Sequence, residues 1–147
     1  MGIALSLAKK AYKEDEVPVG AILVDKDGEI IGKGYNCPIS VCDPTAHAEI
    51  LAIRMASKKI KNYRLLDTTL YVTLEPCPMC AGAILYARIK RLVIGALDPK
   101  TGSCISLYSI VMDERFNHQV ELCYGIRQEE CSKIIKEFFR QKRAKTS

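Results

Sequence analysis

Two short segments constrain this chain more than any other feature: Thr45-Ala46-His47-Ala48-Glu49 and Glu75-Pro76-Cys77-Pro78-Met79-Cys80. One imidazole and two thiolates form a soft ligand set suited to tetrahedral zinc with a fourth position left to water, as in a catalytic site. A structural zinc would call for four protein ligands. Any fold that uses the set must bring two distant stretches of chain to one point. Glu49, just beyond the histidine, offers an unligated carboxylate that could move protons for a metal-activated water, which points to hydrolysis.

The flanking residues suggest how convergence is reached. Asp43-Pro44 ahead of an apolar-periodic run reads as an N-cap followed by proline at the first helical position, so a helix is expected from Pro44 to about Lys59 with His47 in its first turn. Pro76-Cys77-Pro78 repeats the device, with Cys77 at or near the cap and Cys80 facing the same way. His47 and Glu49 lie about 200° apart around a helix and can converge only beyond its tip. A metal between two helix N-termini meets that condition, and the positive dipole ends favour thiolate at Cys77 and Cys80. Simpler readings explain less. A redox C-x-x-C would want a thioredoxin-like context that is absent. A core role for His47 would leave His118, in a loop-like Phe116-Asn117-His118, as the other imidazole of the chain. Glu49 as a mere dipole complement would contribute about 0.3–1 kcal/mol.

Length and composition set outer bounds. At 147 residues and 48% hydrophobic, the chain reads as one domain, 1–147, with enough length to bury a substantial core. Its longest apolar stretches, such as Gly20-Ala21-Ile22-Leu23-Val24, are strand-sized and far short of a membrane span. The N-terminus begins in a helical pattern without an apolar signal core, so a cytoplasmic location away from membranes is expected. Cys37, Cys42, Cys104, Cys123 and Cys131 are scattered singly and read as free, partly buried thiols. Net charge is +5, and from Arg127 onward seven basic residues face three acidic ones. A second basic cluster comprises Arg54, Lys58, Lys59, Lys61 and Arg64. Beside a site of this kind, a phosphate-binding footprint explains the excess better than a solvated face.

Periodicity and turn residues predict the order α-β-β-α-β-α-β-α-β-α. A helix over Gly2 to Glu14 places Leu7, Ala8 and Ala11 on one face. Strands Val19 to Val24 and Glu29 to Tyr35 flank Asp25-Lys26-Asp27-Gly28 as a hairpin. After the helix from Pro44, a strand Thr69 to Leu74 leads to Cys77. A helix from Pro78 to about Ala87, a strand Arg91 to Ala96 and a loop Asp98-Pro99-Lys100-Thr101-Gly102 follow. A short helix near Ser106 to Met112, a strand Gln119 to Tyr124 and a helix from about Gln128 to Arg143 complete the chain, with Ala144 to Ser147 frayed. A hairpin followed by β-α-β crossovers implies α/β architecture: three layers, α/β/α, around a central mixed five-stranded sheet. Ligands then fall where a strand ends and its helix begins, as at Cys77.

The order H-x-E then P-C-x-x-C matches the signature of zinc-dependent nucleobase deaminases. Further segments narrow the likeness: Glu16-Val17-Pro18-Val19-Gly20-Ala21, Tyr63-Arg64-Leu65, Leu70-Tyr71-Val72-Thr73-Leu74-Glu75-Pro76-Cys77, Asp98-Pro99-Lys100-Thr101-Gly102, Asn117-His118 and Phe138-Phe139-Arg140. Almost end to end, the chain resembles bacterial tRNA-specific adenosine deaminases of the cytidine deaminase-like superfamily, with any leading residues shortened. The resemblance implies one Zn2+ per subunit held by His47, Cys77 and Cys80, with Glu49 as catalytic proton shuttle. It implies hydrolytic deamination of adenosine to inosine at the wobble position of a tRNA anticodon, acting on the anticodon stem-loop as a homodimer. It also implies substrate contacts from Asn36, Asp98, Phe139 and Arg140. The alternative is a deaminase of the same fold acting on a free base or nucleoside of the guanine or cytosine type; the basic C-terminal helix favours RNA, because a small base needs no phosphate footprint. A non-catalytic zinc-bearing RNA-binding module would not require Glu49.

Overall fold

The computed structural model describes residues 1–146. Helix α1 (Gly2–Lys13) precedes a hairpin of β1 (Gly20–Val24) and β2 (Ile30–Tyr35). There follow α2 (Ala48–Ile60), β3 (Thr69–Leu74), α3 (Pro78–Tyr86), β4 (Arg91–Ala96), β5 (Glu121–Tyr124) and α4 (Gln128–Thr146). The hairpin closes as its turn chemistry requires. The Asp25 carboxylate accepts the N–H groups of Asp27 and Glu29 at 2.9 and 3.0 Å, and Gly28 takes the left-handed φ of +83°.

The sheet runs β2-β1-β3-β4-β5, with β1 antiparallel to both neighbours and β3, β4 and β5 mutually parallel. It is the expected mixed five-stranded sheet. Helices α2 and α3 cover one face, where Ala52, Ala56, Ala81, Ile84 and Leu85 pack on Leu23, Leu70, Val72, Leu92 and Ile94. Helices α1 and α4 cover the other, where Leu5, Ala96 and Cys131 meet. Each fully buried aliphatic side chain contributes about 1.5–3 kcal/mol, so the two-sided core carries the stability of the layers.

One contact positions the site. Ala48, Ala52 and Ala56 form the inner stripe of α2, and β2 answers with Gly32 and Gly34. A Cβ on Gly34 would overlap the Ala48 carbonyl oxygen, and one on Gly32 the Ala52 carbonyl oxygen. Small residues on both sides therefore let helix backbone rest on strand backbone.

The structure corrects several local expectations. Helix α2 begins at Ala48 rather than Pro44, leaving His47 as its N-cap in extended conformation (φ −82°, ψ 153°). Asp43 does cap, but it caps a turn: its carboxylate accepts Thr45 N–H and Oγ1–H at 2.9 and 2.7 Å. The helix expected near Ser106 to Met112 shrinks to a 3₁₀ turn, Ile110–Met112, because the N–H groups of residues 104 to 106 are bound to Glu75. Helix α4 continues to Thr146, whose hydroxyl bonds the Lys142 and Arg143 carbonyls, so Ala144 to Thr146 are helical; Ser147 lies outside the described residues. The buried face of α1 comprises Ala4, Leu5, Ala8 and Ala11, with Leu7 half-buried beside it. The cysteines are free thiols as expected, though Cys42 is exposed. No helix among the described residues is long and apolar enough to cross a membrane.

Candidate active site

The carboxyl ends of β2, β3 and β4 share one edge of the sheet, and the motif residues gather there. His47 caps α2 and Cys77 caps α3 (φ −74°, ψ 175°), with Pro78 opening the helix and Cys80 at its third residue. Neither cap closes its own helix with a side-chain bond, so both side chains are left to face the gap between the helix tips.

His47 Nδ1 lies 3.6 Å from Cys77 Sγ and 3.5 Å from Cys80 Sγ, and the three candidate ligand atoms all fall within 4.8 Å of one another. A tetrahedral zinc with Zn–S of about 2.3 Å and Zn–N of about 2.0–2.1 Å separates sulfur from nitrogen by about 3.5–3.6 Å. The observed spacing matches that edge, and two sulfurs with one imidazole suit zinc's borderline-soft character. Three ligands leave a fourth position open.

Charge reinforces the geometry. Hydrogen bonding to Cys77 raises the His47 pKa, against burial. The Cys80 thiol, as donor to Cys77, pulls the Cys77 pKa down to about 4, with His47 assisting and burial opposing. Cys80 moves upward for the same reason, and burial adds to it. Glu49, only 4% exposed, is pushed up to about 7, chiefly by burial. Its carboxyl meets the Cys80 thiol and feels the charges of Cys77 and His47, which places it directly beside the cluster.

Asn36, just beyond β2 and nearly buried, accepts the Ala48 N–H on Oδ1 at 2.8 Å. It thus caps α2 between His47 and Glu49. Asp98 follows β4 at the same edge; its carboxylate folds its own loop, accepting Lys100 N–H at 3.0 Å and Thr101 Oγ1–H at 2.8 Å. Phe139 and Arg140 lie on α4, across the sheet from α2 and α3, and so apart from the cluster. Phe139 is 43% exposed and packs edge-on against Phe138. Arg140 lines a surface groove with Lys133 and Lys136. His118 hydrogen-bonds the Ile89 carbonyl at 2.8 Å from a loop.

Two buried carboxylates escaped the sequence reading. Glu16 accepts Ser40 N–H and Oγ–H at 2.7 and 2.6 Å and Ile39 N–H at 3.3 Å, anchoring the segment that leads to His47. Next to it, Asp15 pairs with Lys142 at 2.6 Å, tying the end of α4 to the turn after α1. Glu75 gathers the loop after β4. Burial raises its pKa, but hydrogen bonds from Ser106 and backbone N–H groups outweigh that and hold it below the usual carboxylate value. An acid set among apolar residues beside a proline was the one local hint.

A family model described as MafB19-like deaminase matches residues 1–143. A tRNA-specific adenosine deaminase of Haemophilus influenzae is 55% identical over 97% of this chain and 83% of its own length. One of Bacillus subtilis is 47% identical over 97% of this chain and 88% of its own. A solved structure from work on A-to-I editing by tRNA:A34 deaminases at the wobble position superposes with a TM-score of 0.87 at 44% identity, covering 91% of this chain and 96% of that one. Together with a His-Cys-Cys cluster of zinc-like dimensions, these likenesses mean that the chain belongs to the MafB19-like deaminase family, in its branch of tRNA-specific adenosine deaminases.

Proposed function

We propose that this protein hydrolyses adenosine to inosine at the wobble position of a tRNA anticodon, releasing ammonia, with residues 1–147 acting as one catalytic domain. The convergence of His47 Nδ1 with Cys77 and Cys80 Sγ beside a buried, unligated Glu49 carries the reading. His47, Cys77 and Cys80 would hold one zinc per subunit, which when bound supplies Lewis-acid activation of water. Glu49 then does the proton work. Its carboxylate takes a proton from the attacking water and delivers it to the ring nitrogen beside the amino-bearing carbon. Water oxygen adds to that carbon, the amino group accepts a proton through Glu49, and ammonia departs. Helix tips on either side keep positive dipole ends at the place where negative charge develops.

The adenosine must leave its stack to reach the cluster at the helix tips, and an unpaired anticodon loop makes that least costly. Asn36, fixed as the α2 cap, is the candidate contact to the base, and Asp98 the candidate contact to flanking nucleotides. Phe139 and Arg140 extend the contact along basic α4. A homodimer is supported by large apolar side chains left open on the α2–α3 side, among them Met55, Tyr63, Leu66 and Tyr86, the last 81% exposed. A cytoplasmic location goes with a tRNA substrate.

The deciding assay measures inosine and ammonia from an anticodon stem-loop set against free guanine and cytosine, with salt varied. Turnover of the stem-loop alone, weakening with salt, is expected. Preferred turnover of either free base would replace this reading with that of a small-base deaminase.

A further inference from the structure

Glu75 directly follows β3, two residues before Cys77, and is 2% exposed. Its side chain turns toward the loop after β4. Oε1 accepts Asp98 N–H at 2.9 Å and the Ser106 hydroxyl at 2.5 Å. Oε2 accepts the N–H groups of Cys104, Ile105 and Ser106 at 3.1, 2.8 and 2.9 Å. All five partners are donors, so only a group with two acceptor oxygens satisfies them. Three successive amides aimed at one oxygen form an anion-binding nest whose anion is supplied by the chain itself.

The loop so held borders the site. Ser103 N–H donates to the Pro76 carbonyl at 2.9 Å, one residue from Cys77, and the buried Cys104 thiol feels the charges of Glu49 and Cys77. Gly102 lies against the Glu75 carboxylate so closely that a Cβ there would overlap both that group and the Asp98 carbonyl oxygen. Its outer residues, Pro99, Lys100 and Thr101, are exposed. The loop therefore has one side toward the site and one side in solvent, within reach of a polynucleotide substrate.

We propose that Glu75 is a positioning residue: its buried carboxylate is the mould on which the Asp98–Ser106 loop folds, and through that loop it sets the grip on a polynucleotide substrate without touching the reacting atoms. This rests on the RNA reading above. Cys77 is also held at the start of α3, its carbonyl accepting the Ala81 N–H at 2.9 Å, so metal retention is expected to survive loss of the mould.

The test compares wild type with Glu75→Gln, Gly102→Ala and Ser106→Ala. In Glu75→Gln the side-chain NH2 faces the donors of one oxygen whichever way it is flipped, and Gly102→Ala, whose new Cβ overlaps the carboxylate, should raise KM in the same direction. Zinc content, kcat and KM for an anticodon stem-loop, and amide hydrogen exchange of residues 104 to 106 are measured. Loss of a charge-assisted hydrogen bond predicts KM raised about ten- to hundredfold in Glu75→Gln, with kcat and zinc content near wild type and the three amides exchanging fast. Ser106→Ala, which removes one donor, should move KM the same way by a smaller factor and fold even if Glu75→Gln does not. The proposal is overturned if slow amide exchange survives Glu75→Gln, or if KM is unchanged, or if zinc content and kcat drop along with the rise in KM in Ser106→Ala. Failure of wild type to act on the stem-loop would instead sink the RNA reading, and the exchange data would still judge the mould.

Discussion

Gly34→Ala offers the sharpest physical test of how the site is assembled. The new Cβ would overlap the Ala48 carbonyl oxygen and stand 2.8 Å from Leu51 Cβ and 3.0 Å from Ala52 N. Backbone atoms cannot rotate aside, so α2 must withdraw from β2. Reaching ordinary carbon contact of about 3.5 Å from Leu51 alone takes a shift of about 0.7 Å. His47 caps that helix and Glu49 lies in its first turn, so both move relative to Cys77 and Cys80, which stand on a different helix. Functional constellations tolerate about 0.5 Å, and a misplacement of 1 Å can lower rate about 10²-fold. Overpacking adds a stability loss of about 1–3 kcal/mol, or a Tm lowered by roughly 2–10 °C in a domain of this size. Thermal melting, zinc stoichiometry by mass spectrometry and stem-loop deamination should all fall together. A variant that melts like wild type, holds full zinc and keeps its activity would refute the claim that close α2–β2 packing places the ligands.

Glu49→Gln should lower kcat by about 10²–10⁴ while zinc stays bound, since the carboxyl moves protons rather than holding metal; normal turnover at full zinc occupancy would remove Glu49 from the chemistry. Hydrogen bonds from Ser40 and Ile39 overcome the upward push of burial and hold the Glu16 pKa below the usual glutamate value. The unfolded chain therefore binds its proton more readily, so this stabilisation is complete above about pH 4.5 and disappears as pH falls through the lower folded value. Melting curves from pH 6 to pH 3 should show a steeper decline in wild type than in Glu16→Gln, and parallel curves would contradict it. Arg140→Ala should weaken stem-loop binding across sequences alike and reduce the salt slope by about one; an unchanged slope would take Arg140 out of the RNA footprint.

Much of the architecture is legible in short windows. β3 and β4 run over the residues predicted from their β-branched and apolar runs, and the turn at Asp25 to Gly28 is where its side chains require it. Proline after Cys77 fixed the start of α3 locally. At α2 the same logic failed by four residues. Asp43 found a nearer partner in Thr45, and the acceptor that caps the helix, Asn36, comes from the end of β2. The lost helix near Ser106 has the same cause: its amides turn to Glu75, about thirty residues upstream.

The sequence by itself determined the candidate metal-binding residues, the carboxylate beside them, the alternation of strands and helices and the basic character of the last helix. These depend on residue identity and on periodicities of a few residues, which a linear chain carries openly. Only the tertiary structure decided where α2 begins, that glycines in β2 let it seat against the sheet, and that Glu16 and Glu75 hold the loops around the site. Those outcomes come from hydrogen bonds and contacts between distant positions, and no local window contains both partners.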